Sequence, residues 1–161
     1  VGSEMCIRDR PLYEQLELLK KNKVAVVCGI LSGTLASLTG IFVLCMLFGF
    51  NHQQYVTMLP KSITTAIGIG ISEELGGIVT ITVAVIIITG ILGNVIADTV
   101  FHIFKIKNPL AKGLALGTAS HAIGTARAIE MGPVEGAMSS LAVAVAGLLT
   151  VVFVSGFAQL I

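Results

Sequence analysis

From Val24 to Phe50 the chain carries no charged residue and no histidine. About 20 apolar residues cross the hydrocarbon of a bilayer as a helix, so this run predicts a transmembrane span. Two further runs predict two more: Ile78 to Ala97, extending past Asp98 toward Phe104, and Gly136 to Ile161. Between the spans lie Leu59–Gly77 and Gly113–Pro133, both rich in glycine and hydroxyls. They are too polar for a lipid-facing helix and too apolar for a loop in water. Irregular backbone at membrane depth is tolerated only inside protein or beside water. Each stretch is therefore expected to be a broken or re-entrant helical segment, centred near Gly68 and Gly124. The expected fold class is all-α, a polytopic membrane protein with two such segments.

The pattern changes ahead of the first span. In "PLYEQLELLKKNK", Pro11 suits a first helical turn, and Leu12, Leu16 and Leu19 share one face at i, i+4, i+7. Glu17 and Lys21 form an i, i+4 pair in the favourable order. A short amphipathic helix at the membrane surface is expected there. The decapeptide before it, "VGSEMCIRDR", is polar and without clear periodicity. It resembles a translated sequencing adapter. Residues 1–10 are accordingly expected to be non-native, and residues 11–161 to form the C-terminal part of a longer membrane domain.

The two glycine-rich stretches are alike. "AIGIGISEELGG" begins at Ala66 and "AIGTARAIEMGP" at Ala122, an offset of 56 positions. At that offset Ala66, Ile67, Gly68, Glu74 and Gly76 meet Ala122, Ile123, Gly124, Glu130 and Gly132, while Thr64 and Thr65 meet Ser120 and His121. Each stretch runs on into a span. Lysine placement then sets orientation, because cytoplasmic ends carry the excess of Lys and Arg. Lys20, Lys21 and Lys23 precede the first span, and Lys105, Lys107 and Lys112 follow the second. Both groups belong on the cytoplasmic side, so two crossings separate them. Leu59–Gly77 then enters from outside and Gly113–Pro133 from the cytoplasm, the pattern of an inverted repeat in secondary transporters. Lys61, a single charge in the outer segment, either snorkels to the headgroups or meets a substrate.

Composition narrows the function classes. Hydrophobic residues make up 55% and charged residues 12%, against about 25% charged in soluble domains, and the mean hydropathy is +0.95. The net charge of +1 gives no general attraction to nucleic acid. Three cysteines offer no disulfide framework. Cys28 and Cys45 sit roughly 25 Å apart if their run is helical. No Cys/His spacing suits zinc, and no P-loop or dinucleotide fingerprint is present. Neither a metal nor a cofactor is expected.

The chemistry concentrates in "GTASHAIGTARAIEMG", Gly117 to Gly132. Where a helix breaks, its N-terminal N–H groups favour an anion. Thr64, Thr65, Thr118, Ser120 and Thr125 add hydroxyls, and Arg127 can grip a carboxylate with two parallel bonds. His121 either carries a proton or bonds a backbone carbonyl at the break. Ser120, Gly124 and Arg127 share one helical face by i, i+4, i+7 spacing, with Thr118, His121 and Thr125 on a neighbouring one. These seven polar residues are the candidate substrate site, and Gly68 and Gly124 the candidate breaks. Competing readings are structural: Arg127 neutralising Glu130 or Glu74, Glu73 and Glu74 at the interface, and Gly113–Gly117 as a GxxxG packing contact. Asp98 is either the end of its span or a coupling site. An enzyme is not expected. Ser120 and His121 are sequence neighbours that face different ways on a helix, and nothing identifies a third group to orient the histidine.

"PLYEQ", "LPKSITT", "GGI", "TGILG", "KGLALGTASHAIGTARA" and "EGA" stand in one order, and together they resemble the LrgB/CidB family from Pro11 to the C-terminus. That family usually has proline where this chain has Ala66, and has an upstream membrane region before "PLY" where the adapter-like decapeptide stands. The resemblance implies a multi-pass protein of the bacterial inner membrane. It implies a small LrgA/CidA-type membrane partner and either of two roles. One is antiholin-like control of murein hydrolase activity and autolysis. The other is transport of small monocarboxylates of the pyruvate, glycolate and glycerate class. The buried polar constellation in a repeated break favours transport; a holin-like pore needs oligomerising helices instead. Assembly into a homo-oligomer stays open.

Overall fold

The computed structural model describes residues 19–160. The adapter-like decapeptide and most of the stretch expected to form an amphipathic helix lie outside these residues. The described part is helical, with no strand among the described residues. The order is α1 (Lys23–Phe48), α2 (His52–Met58), α3 (Thr65–Glu74), α4 (Val79–Ile103), α5 (Pro109–Met131), α6 (Pro133–Phe157) and a closing 3-10 turn, Ala158–Leu160.

Among the described residues three helices are long and apolar enough to cross a membrane: α1, α4 and α6 continued to Leu160. Their bounds follow the apolar runs of the sequence. The outer face of α4 exposes Ile87, Ile88, Ile91, Leu92, Val95 and Ile96, a surface suited to lipid rather than water. Side-chain contacts fix the directions. Gly29 lies against Leu114 and Gly33 against Thr118, so α1 and the first half of α5 run in parallel. Thr82, near the start of α4, bonds to Thr57, whereas Asp98, near its end, pairs with Arg127 of α5. One face of the bundle therefore gathers Lys23, Lys105, Lys107 and Lys112, and the opposite face gathers α2 and the end of α6.

Between α1 and α4 the chain enters from the opposite face and returns to it. Asn51 caps α2, accepting from the Gln54 N–H at 2.9 Å while the Gln54 side chain accepts from the Asn51 N–H at 3.0 Å; this reciprocal pair satisfies two orphan donors. After Met58 the backbone turns through Leu59–Ile63 and climbs back as α3. The base of the hairpin is tied by hydroxyls: Thr57 Oγ1 accepts from the Ile78 N–H at 2.8 Å, and Thr82 Oγ1 donates to the Thr57 carbonyl at 2.9 Å and sits 2.8 Å from Ser72 Oγ. Gly68 lies inside α3, buried against Ile86. This corrects the expected break at Gly68: the discontinuity falls in the turn before Thr64. The glycine is needed for close packing, since a Cβ there would come 2.5 Å from Ile86 Cδ1.

The second hairpin enters from the lysine-bearing face. Asn108 caps α5, with Pro109 at its first position, where a missing N–H costs nothing. The helix runs to Ser120, and His121 then adopts φ 43° and ψ −135°. The chain reverses there. A Cβ on Gly124 would lie 2.8 Å from the Leu116 carbonyl oxygen, although eight residues of straight helix would separate the two by about 12 Å. The break is thus at His121 and not at Gly124, a second correction. Both helical limbs of this hairpin pack on α6. Gly113 and Gly117 face Glu135 and Ser139 backbone so closely that any Cβ would overlap it, the packing role of a GxxxG pair.

Candidate functional site

Both hairpins reach Ile86, which is fully buried about 10 Å along α4 from Val79 at 1.5 Å per residue. Its side chain packs on Gly68 of the first hairpin, and its carbonyl lies 2.9 Å from His121 Nε2 of the second. The helices leaving the two tips, α3 from Thr65 and the second half of α5 from Ala122, have their N-termini there. They match at the 56-residue offset read from the sequence.

The predicted site residues divide into four places. Thr64 is the N-cap of α3 without a side-chain cap bond, and Thr65 opens that helix. Ser120 and His121 are buried in the second tip, Ser120 packed on Gly93 of α4. The imidazole spans the gap to Ile86 and, with an acceptor carbonyl opposite, donates from Nε2. Thr125 Oγ1 donates to the His121 carbonyl at 2.9 Å and meets Ser139 Oγ at 2.8 Å, which fastens the reversal to α6. Asn94 Nδ2 donates to the Ile123 carbonyl at 3.3 Å, a further tie to α4. These groups hold the tip together.

Arg127 does not join them. Its guanidinium donates to Glu130 at 2.7 Å and to Asp98, at the lysine-bearing face. The expectation that it shares a face with Ser120 assumed one continuous helix, and the reversal at His121 removes that register. Arg127 is corrected to an interfacial ion-pair residue joining the second hairpin to α4.

Thr118 is the predicted residue that does face a cavity. The cavity measures about 770 Å³ and lies between α1 and the first half of α5. Its walls are small side chains, such as Ala25, Gly29 and Gly33 on α1 and Ala111 and Ala115 on α5. Its inner end is polar, with Ser37, Lys61, Ser62 and Thr118. Lys61 Nζ donates to Ser62 Oγ at 2.9 Å and to Ser37 Oγ at 3.3 Å, and Ser37 Oγ donates to Ser62 Oγ at 2.9 Å. Lys61 thus turns inward to the middle of α1 rather than outward to the headgroups. Ser37 and Ser62 were not among the expected site residues. Their signal in the sequence was weak, since hydroxyls in spans usually bond their own helix carbonyl, as Thr34 does to Ile30 here.

A model of the LrgB-like family matches residues 10–160. Curated relatives include the antiholin-like protein LrgB of Bacillus subtilis (strain 168), 40% identical over 151 residues, 94% of this chain and 65% of the relative. Another is the antiholin-like protein LrgB of Bacillus cereus (strain B4264), 42% identical over 147 residues, 91% of this chain and 64% of the relative. The chain thus spans just under two thirds of the length of these relatives. No solved structure matches it.

Proposed function

This chain belongs to the LrgB-like family, and we propose that it carries small monocarboxylates of the pyruvate, glycolate and glycerate class across the bacterial cytoplasmic membrane. The observation that supports transport is the pair of re-entrant hairpins entering from opposite faces, both packing on Ile86 of α4. Secondary transporters build substrate sites where such repeats meet at the midplane. The cavity leads from the lysine-bearing face to Ser37, Lys61, Ser62 and Thr118, beside the hairpin turns, and offers hydroxyls and one ammonium there. In this reading the lysine-bearing face is cytoplasmic, and a small LrgA/CidA-type membrane protein is the partner of the full-length protein.

The names of the relatives favour a second reading, an antiholin-like modulator of autolysis. One experiment separates the two: uptake of radiolabelled pyruvate and glycolate into liposomes holding the purified protein, with and without the LrgA-type partner. Saturable uptake above empty liposomes supports transport. Its absence under both conditions favours the antiholin reading.

A further inference from the structure

We propose that Lys61, Ser37 and Ser62 form a binding site for one small monoanion at the inner end of the cavity, with Thr118 as its wall. The assignment builds on the transport reading, which supplies the reason for a path to this depth. Its own basis is a count of protons and charge.

A lysine ammonium has three donor hydrogens, and each serine hydroxyl has one. The three side chains make three hydrogen bonds among themselves. Whichever hydroxyl donates, three of five protons are used, and two remain for another acceptor. The cluster also carries a positive charge. Among the described residues no Asp or Glu lines the cavity, and no ion pair involves Lys61. Lys61 is half-buried, and drawing an unpaired ammonium out of water is costly, so the site calls for an anion. The Thr118 hydroxyl is already committed to the Leu114 carbonyl at 2.8 Å, and it shapes the wall rather than adding a donor.

Depth excludes a lipid headgroup as that anion. Ser37 lies about 21 Å along α1 from Lys23 and about 17 Å from Phe48 at 1.5 Å per residue. A phosphate at either surface does not reach the ammonium, which is held by Ser37 instead of extending toward the interface. Charge sets the valence. One ammonium balances one negative charge, and a dianion would bring a second charge into walls of Ala, Gly and Leu. The site therefore takes monoanions with an exposed acceptor, such as glycolate, pyruvate or chloride, in preference to dicarboxylates such as malonate.

The test is equilibrium binding of radiolabelled glycolate to the full chain purified in detergent, with chloride and malonate as competitors. Lys61→Met should weaken binding roughly tenfold to a hundredfold, the loss of a charge-assisted contact. Lys61→Arg should keep part of the affinity, and Ser62→Ala should lose several-fold. Arg127→Met should bind as the parent does. Chloride should compete and malonate should not. Glycolate binding by Lys61→Met within twofold of the parent overturns the site, as does a parent that binds neither glycolate nor chloride. If Lys61→Met does not fold, Ser62→Ala decides, and unchanged binding there overturns the site equally. Binding without uptake into liposomes keeps the site and removes the transport reading; uptake that survives Lys61→Met keeps transport and removes the site.

Discussion

His121 should reverse the usual ranking of alanine and glycine. It holds the second tip at φ 43° and ψ −135°, a conformation that costs a residue with a Cβ on the order of 1–3 kcal/mol. The bond from its imidazole to the Ile86 carbonyl at 2.9 Å offsets part of that cost, with a net value of about 0.5–1.5 kcal/mol. His121→Ala loses the bond and keeps the strain. His121→Gly loses the same bond and relieves the strain. Both remove the imidazole, so their difference isolates the backbone. His121→Gly should be the more stable of the two by about 1–2 kcal/mol. In a continuous helix the order is opposite, with Gly worse than Ala by about 0.5–1 kcal/mol. The measurement is unfolding of the purified protein by SDS in mixed micelles, followed by far-ultraviolet circular dichroism. If His121→Ala equals or exceeds His121→Gly in stability, the reversal at this residue is wrong. Gly124 supplies the contrast, because its need is space and not a left-handed backbone.

Thr82→Val keeps the shape of a fully buried side chain but removes its bonds to Ser72 and the Thr57 carbonyl; the same unfolding assay should show a loss of about 1–3 kcal/mol. Gly117→Leu drives a side chain into the Ser139 backbone and should cost about 1–3 kcal/mol or more, whereas Ala119→Leu, on an exposed position of the same half-helix, should be nearly silent. Asp98→Asn breaks an ion pair at the membrane surface and should change stability little, an effect that high salt in the unfolding buffer should mask in the parent.

The spans were legible because uninterrupted apolar length is itself the physical requirement for crossing lipid. The hairpins were legible as segments, and even their opposite entry followed from three lysines on each side of two crossings. Their turning points were not. Glycine marked them falsely, since Gly68 and Gly124 are small for packing against Ile86 and Leu116. The backbone that reverses belongs to a histidine, which tolerates it through a bond to a residue 35 positions away. Arg127 was misplaced for the same reason, because helical spacing carries no information across a break. Lys61 was noticed, but its partner Ser37 sits in the middle of an apolar span, where one hydroxyl among many gives no sign of facing a cavity.

The cavity has a direction, and that direction is testable. Along α1 its lining runs from Asn22 at the lysine-bearing end to Ser37 at mid-depth, and along α5 from Asn108 to Ala119. Beyond the polar end, toward the opposite face, Leu38, Ile41, Tyr55, Val56, Leu59 and Ile63 form a buried apolar cluster with Val154. Tyr55 adds a bond from its hydroxyl to the Phe157 carbonyl at 2.9 Å, tying the first hairpin to the end of α6. The groove thus begins at one face, and a packed layer of buried apolar side chains lies toward the other. With Cys6, Cys28 and Cys45 replaced, single cysteines at Ser32 and Ala115, both in the lining, should react with a membrane-impermeant maleimide from the lysine-bearing side. Cysteines at Leu38 and Leu59 should react from neither side while this conformation holds. Gln53→Cys and Lys107→Cys, exposed at the two faces, calibrate which side each reagent reaches. Reaction at Leu59 from the Gln53 side with Ser32 protected would mean that the cavity opens the other way, and that the packed layer is the gate that had moved.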